Sequence, residues 1–76
     1  MNIEMKLELN SIDRVKSFVE DVTLLDGEYD LVSGKYIVDA KSIMGIFSLN
    51  LAEPVILKIV TPSEIDISVL EKYKVR

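Results

Sequence analysis

Ser42 carries a hydroxyl at the head of an apolar run, Ile43-Met44-Gly45-Ile46-Phe47, and directly follows Lys41. A serine in that position has two chemistries. Its oxygen can accept a hydrogen bond from a free backbone N–H at the start of a helix. It can also take a phosphoryl group, which would add about −1.5 to −2 charge. Free N–H groups and the helix dipole favour an anion at that end. The apolar residues behind it suggest recognition. At about 100° per residue, Ile46 and Leu49 point one way, while Ile43, Met44 and Phe47 cluster roughly opposite. A helix lying on a sheet buries one face, so the second apolar face is expected to be at least partly exposed. Such a patch, rimmed by polar residues, marks a contact surface. Met44 lends it adaptability. A competing reading makes Ser42 a cap only and covers the cluster with tail residues Ile67, Leu70 or Val75.

Other chemistries are poorly supplied. The chain has no His and no Cys. That removes the commonest general acid/base, the imidazole and thiolate metal ligands, the thiolate nucleophile and any disulfide. The acids Glu20, Asp21, Asp26, Glu28 and Asp30 read as solvated faces and turn residues. There is no Gly-rich phosphate loop. The chain is therefore expected to be no enzyme and to hold no metal or cofactor. Nine basic residues are spread among thirteen acids, giving a net charge of −4. A nucleic acid is not the expected partner, because phosphate backbones are bound by clustered Lys and Arg. Asn2, Glu4, Lys6 and Glu8 interrupt any apolar run at the N-terminus, so no signal peptide is expected. No apolar stretch approaches the ~20 residues that span a bilayer. A cytoplasmic protein is the expectation.

The elements that must position Ser42 follow from hydrophobic period. Seventy-six residues, 49% of them apolar, make one domain, residues 1–76, with one core. A domain of this size buries only about 60% of its unfolded surface. In "NIEMKLEL", Ile3, Met5, Leu7 and Leu9 alternate with Glu4, Lys6 and Glu8, as in a strand with one wet side. In "NSIDRVKSFVEDVTLL", Ile12, Val15, Phe18, Val19 and Val22 form a helical stripe, with Asn10 or Ser11 as the cap. Asp26-Gly27 ends that element. "EYDLVSGKYIVDA" reads as a hairpin turning at Ser33-Gly34. "SIMGIFSL" reads as a helix of about two turns, and "PVILKIV" as a strand that Pro54 opens. In the tail, Thr61, Pro62 and Glu64 are helix-start signals, and Ile65, Val69 and Tyr73 recur at helical spacing. Ile65, Ile67 and Val69 also alternate as a strand would; helix is the favoured expectation. The order predicts an α+β fold, an open-faced βαββαβα sandwich. One face of a four-stranded, mostly antiparallel sheet carries the helices.

"AKSIMGIFSL", followed by an apolar strand, resembles the regulatory-serine segment of HPr, the phosphocarrier of the bacterial sugar phosphotransferase system. Versions from Gram-positive bacteria carry Lys-Ser-Ile-Met-Gly at this place. The compatible element order extends the resemblance over residues 2–60. It implies the same sandwich and a regulatory phosphoserine at Ser42. It also implies a partner-facing surface at Lys41, Ile43, Met44 and Phe47. The implied partners are a serine kinase/phosphorylase of the HPr type and a catabolite-control transcription regulator. The family's phosphoryl-accepting His does not carry over. Its place falls near Ser11, in a shortened strand-to-helix connection, and Arg14 alone does not recover the surrounding motif. A phosphoramidate needs an imidazole nitrogen, which this chain lacks. The expectation is a non-catalytic regulatory module. The alternatives are a self-associating structural module whose first or edge strand pairs with its copy, and a phosphocarrier or enzyme.

Overall fold

The computed structural model describes residues 2–61 and 66–75. Period-two sequence forms four strands: β1 (Asn2–Leu7), β2 (Glu28–Ser33), β3 (Tyr36–Asp39) and β4 (Val55–Val60). Between them lie α1 (Ile12–Thr23) and α2 (Ile43–Phe47), and a 3-10 helix spans Ser68–Tyr73. The sheet is antiparallel throughout, in the order β1-β4-β2-β3. Alternation decides its two faces. Met5, Leu7, Tyr29, Leu31, Val55, Leu57 and Ile59 are buried in one core with Val15, Phe18 and Val22 of α1, Ile46, Leu70 and Tyr73. Their neighbours Glu4, Lys6, Glu28, Asp30 and Lys58 are exposed on the other side. The fold is thus an α+β open-faced sandwich with its helices on one face.

Local chemistry sets the boundaries. Ser11 caps α1, its Oγ accepting the Arg14 N–H at 3.1 Å. After α1 the chain turns at Gly27, whose φ is +114°. A Cβ there would lie 2.8 Å from Thr61 Cγ2 and 2.9 Å from the Val60 carbonyl oxygen. Only glycine lets this connection press so closely on the end of β4. The hairpin turns at Gly34-Lys35, one residue later than Ser33-Gly34, because Ser33 still pairs with Tyr36. Gly34, at φ +59°, takes the first central position, where a two-residue type II′ turn needs positive φ.

The tail differs most from its sequence pattern. Of its helix-start signals, residues 62–65 lie outside the described residues. Beyond them the chain forms a 3-10 helix and then runs beside β1. Glu8 N–H donates to the Tyr73 carbonyl at 2.8 Å, and Val75 N–H donates to the Lys6 carbonyl at 3.1 Å. Lys74 forms an antiparallel bridge with Leu7. The expected strand over residues 2–9 accordingly ends at Leu7, although Leu9 stays buried. Tyr73 is the anchor. Its ring meets Phe18 edge-on at 5.4 Å between centroids, and the Arg14 guanidinium lies 5.4 Å from its centroid. Its hydroxyl donates to Asp21 Oδ2 at 2.5 Å. That donation commits the only phenolic proton, so Ser17 Oγ, 2.7 Å away, is the donor to Tyr73. Lys72 Nζ stands 3.1 Å from the same Asp21 oxygen. Asp21, expected on a solvated face, is therefore half-buried beneath the tail.

This cluster makes stability depend on pH at both ends. The Tyr73 hydrogen bond and then the Lys72 ammonium hold the Asp21 carboxyl below its ordinary value. A depressed folded value contributes stability above the unfolded pKa, about 3.9. That contribution is lost as pH falls through the lower folded value. Burial, followed by the bond to Asp21, raises the Tyr73 phenol. Its contribution is complete below about pH 10 and is lost as pH rises through the higher folded value. In urea melts across pH, Asp21→Asn is expected to flatten the acid limb below about pH 4. An unchanged acid limb would show that Asp21 is not held by the tail.

Candidate functional site

The connection from β3 into α2 is built by short polar bonds. Asp39 Oδ1 accepts the Lys41 N–H at 2.8 Å, and the Asp39 carbonyl accepts the Ser42 N–H at 3.0 Å. Ser42 is extended, at φ −103° and ψ 105°, as a capping residue must be. Its Oγ accepts the Gly45 N–H at 3.3 Å, and its carbonyl accepts the Ile46 N–H at 3.1 Å. The helix is five residues long, shorter than the two turns expected. It stops where Ser48 folds back, its Oγ donating to the Gly45 carbonyl at 2.6 Å. A Cβ on Gly45 would stand 3.3 Å from Val38 Cβ and 3.4 Å from Ser42 Oγ. Glycine here lets α2 lie close on β3 and leaves room beside the serine hydroxyl.

The two apolar faces of α2 have different fates. Ile46 is fully buried, and Leu49 nearly so. Met44 is 76% exposed and Phe47 41% exposed, while Ile43 is half-buried against the core. Ser42 is itself exposed. Tail residue Leu70 is buried in the core and Ile67 is half-buried against it. The 3-10 helix packs against α1, and Met44 and Phe47 stay open to solvent. Ser42, Met44 and Phe47 therefore share one small helix with their side chains accessible. Lys41 is turned to other work. Its Nζ donates to the Leu25 carbonyl at 2.9 Å and lies 5.2 Å from the Tyr29 ring centroid. It ties α2 to the end of α1 and to β2.

Lys41 also walls a shallow cleft of about 240 Å³ with Gly27, Glu28, Tyr29, Asp30 and Asp39. Its phenol and its ammonium are already engaged. Tyr29 donates its hydroxyl proton to the Asp26 carbonyl at 2.8 Å, and burial raises its pKa. Lys41 is bonded as above. No hydroxyl in the cleft faces a base that would activate it. Among the described residues no group of three or more acids comes together as a metal would need. No helix among them is long and apolar enough to cross a membrane. The Asp21–Tyr73–Ser17 cluster escaped the sequence reading because its members lie 52 and 56 residues apart. Its one sequence signal was Tyr73 at helical spacing in the tail. Compared with known proteins, the chain matches no protein-family model and no curated sequence.

Proposed function

We propose that this chain is a non-catalytic, HPr-like protein-binding module that offers Ile43, Met44 and Phe47 to a protein partner, with Ser42 as a phosphorylation switch. The observation that carries the reading is the exposure of Met44 and Phe47 beside an exposed serine on one short helix. Two apolar side chains left in water side by side, next to a modifiable hydroxyl, support a contact role. The likeness of "AKSIMGIFSL" to the regulatory-serine segment of HPr supplies the partner class. The partners would be an HPr-type serine kinase/phosphorylase and a catabolite-control transcription regulator, in the cytoplasm. The chain's lack of any histidine supports a regulatory role over phosphocarriage.

A phosphate on Ser42 would change the field beside the patch while the fold stays intact. The side chain is exposed and its bond from the Gly45 N–H is long. An HPr-type kinase with ATP is expected to label the wild type at Ser42 alone and to leave Ser42→Ala unlabelled. Ser42→Ala should cost only about 0.5–1 kcal/mol, the lower part of the range for a lost N-cap. Ser42→Asp keeps an acceptor and should melt near wild type. Absence of label on the folded wild type would reduce Ser42 to a helix cap and remove the switch.

A further inference from the structure

The sheet has two edges, and the chain treats them differently. The β1 edge is covered by the tail through Tyr73, Lys74 and Val75. The β3 edge is bare. Ala40 N–H donates inward to the Tyr29 carbonyl. Antiparallel backbone alternates, so Val38 and Tyr36 also bond inward, and Ile37 directs its N–H and C=O off the sheet. Among the described residues nothing pairs with them there. The ladder with β2 runs unbroken from Asp39 to Tyr36, without a bulge or a proline. Tyr36 and Ile37 are 64% and 66% exposed on this strand.

The open face adds an electrostatic asymmetry. One cross-strand row reads Glu4, Lys58, Asp30, Asp39. Lys58 stands between two acids, 3.9 Å from Glu4. Asp39 lies at the edge directly opposite Asp30, with no basic residue in the row beside it. Like charges placed so are unfavourable. A strand bringing a cation to the far side of Asp39 would relieve this.

We infer that the β3 edge pairs with the β3 edge of a second copy of this chain, antiparallel and centred on Ile37. About that centre, Ile37 faces Ile37 and exchanges two backbone hydrogen bonds with it. Tyr36 faces Val38, an aromatic against a β-branched side chain. Lys35, in the turn just before the strand, comes beside Asp39 of the other copy at both ends, so each carboxylate, bonded in its own chain to the Lys41 N–H, gains an ammonium. Sliding the register one step sets Ile37 against Asp39; a further step sets Asp39 against Asp39. Only the Ile37-centred register satisfies both charges. The self-complementary order Lys35…Ile37…Asp39 selects a second copy over an arbitrary extended peptide. Five residues from each copy make a small interface, so the dimer is weak.

Sedimentation equilibrium of the intact chain at about 1 mM, a concentration suited to so small an interface, is expected to show mass rising toward twice that of the monomer. Ile37→Lys, at an exposed position, should abolish the rise with the circular dichroism spectrum unchanged. Lys35→Glu, in the exposed turn, should raise the dimer dissociation constant about tenfold or more. Asp39→Lys should act likewise, and mixing it with Lys35→Glu should restore association, since both cross-pairs are again opposite in sign. If Asp39→Lys does not fold, Ile37→Lys and Lys35→Glu decide the matter. A strictly monomeric wild type at this concentration would overturn the inference. So would a dimer that survives Ile37→Lys and Lys35→Glu, or one dissolved by Met44→Asp instead. None of these outcomes depends on the kinase or on Ser42.

Discussion

Ile46→Ala should destabilise the protein by about 2–5 kcal/mol, while Phe47→Ala, one residue on, should cost less than about 1.5 kcal/mol. Ile46 is wholly buried, and truncating it removes apolar contact and leaves a cavity. Phe47 keeps 41% of its surface in water, so much of its ring is not part of the folding free energy. A domain of 76 residues has a total stability of about 4–11 kcal/mol. The first substitution therefore threatens the fold and the second does not. Urea melts at neutral pH with an unchanged m-value would read the two costs directly. The comparison bears on function, because a residue can serve a partner only if the fold does not need it. A Phe47→Ala loss as large as that of the core variant Phe18→Ala, about 3–5 kcal/mol, would place Phe47 in the core and remove the proposed surface.

Tyr73→Ala should cost about 3–5 kcal/mol, as much as a core aromatic, although it lies in the irregular tail beyond the last strand. The ring is 2% exposed and stacks edge-on with Phe18. Tyr73→Phe keeps the ring and loses only the hydroxyl. It strips Asp21 of its nearest donor and leaves Ser17 without its acceptor, at about 1–2 kcal/mol. The pair of variants separates packing from hydrogen bonding. Hydrogen exchange offers a second readout, since Glu8 N–H is bonded to the Tyr73 carbonyl. Its protection should collapse in Tyr73→Ala and persist in Tyr73→Phe. A mild effect of Tyr73→Ala would show that the tail is not integral to the fold. The β1 edge would then be as open as that of β3.

Much of the architecture could be read from residue order. Alternation in "NIEMKLEL" and the stripe of Val15, Phe18 and Val22 each report one face of one element, which is a local property. Ser42 as a cap and the split of Ile46 and Leu49 from Met44 and Phe47 are equally local. Both turn on where a side chain points within one or two turns of backbone. The tail was less legible because Ile65, Ile67 and Val69 alternate while Ile65, Val69 and Tyr73 keep helical spacing. Two periods over so short a segment are decided by what the segment docks on. The turn shifted by one residue because the β2–β3 register extends to Ser33 and Tyr36.

By itself the sequence determined the order of elements, most of the core and the chemistry it excludes; Ile12, read into the stripe of the first helix, is 63% exposed because it sits at the first helical position, at the end of the packed face. Period and capping act between residues a few positions apart, and the lack of imidazole and thiol is independent of fold. Only the tertiary structure decided the strand order, which placed β3 at an open edge and brought the tail to close the other. It alone turned Lys41 inward to Leu25 and Tyr29 and made Asp21 the partner of Tyr73. These are contacts between distant segments. Propensity carries no information about them, since a carboxylate on a polar helix face looks the same whether water or a tyrosine will cover it.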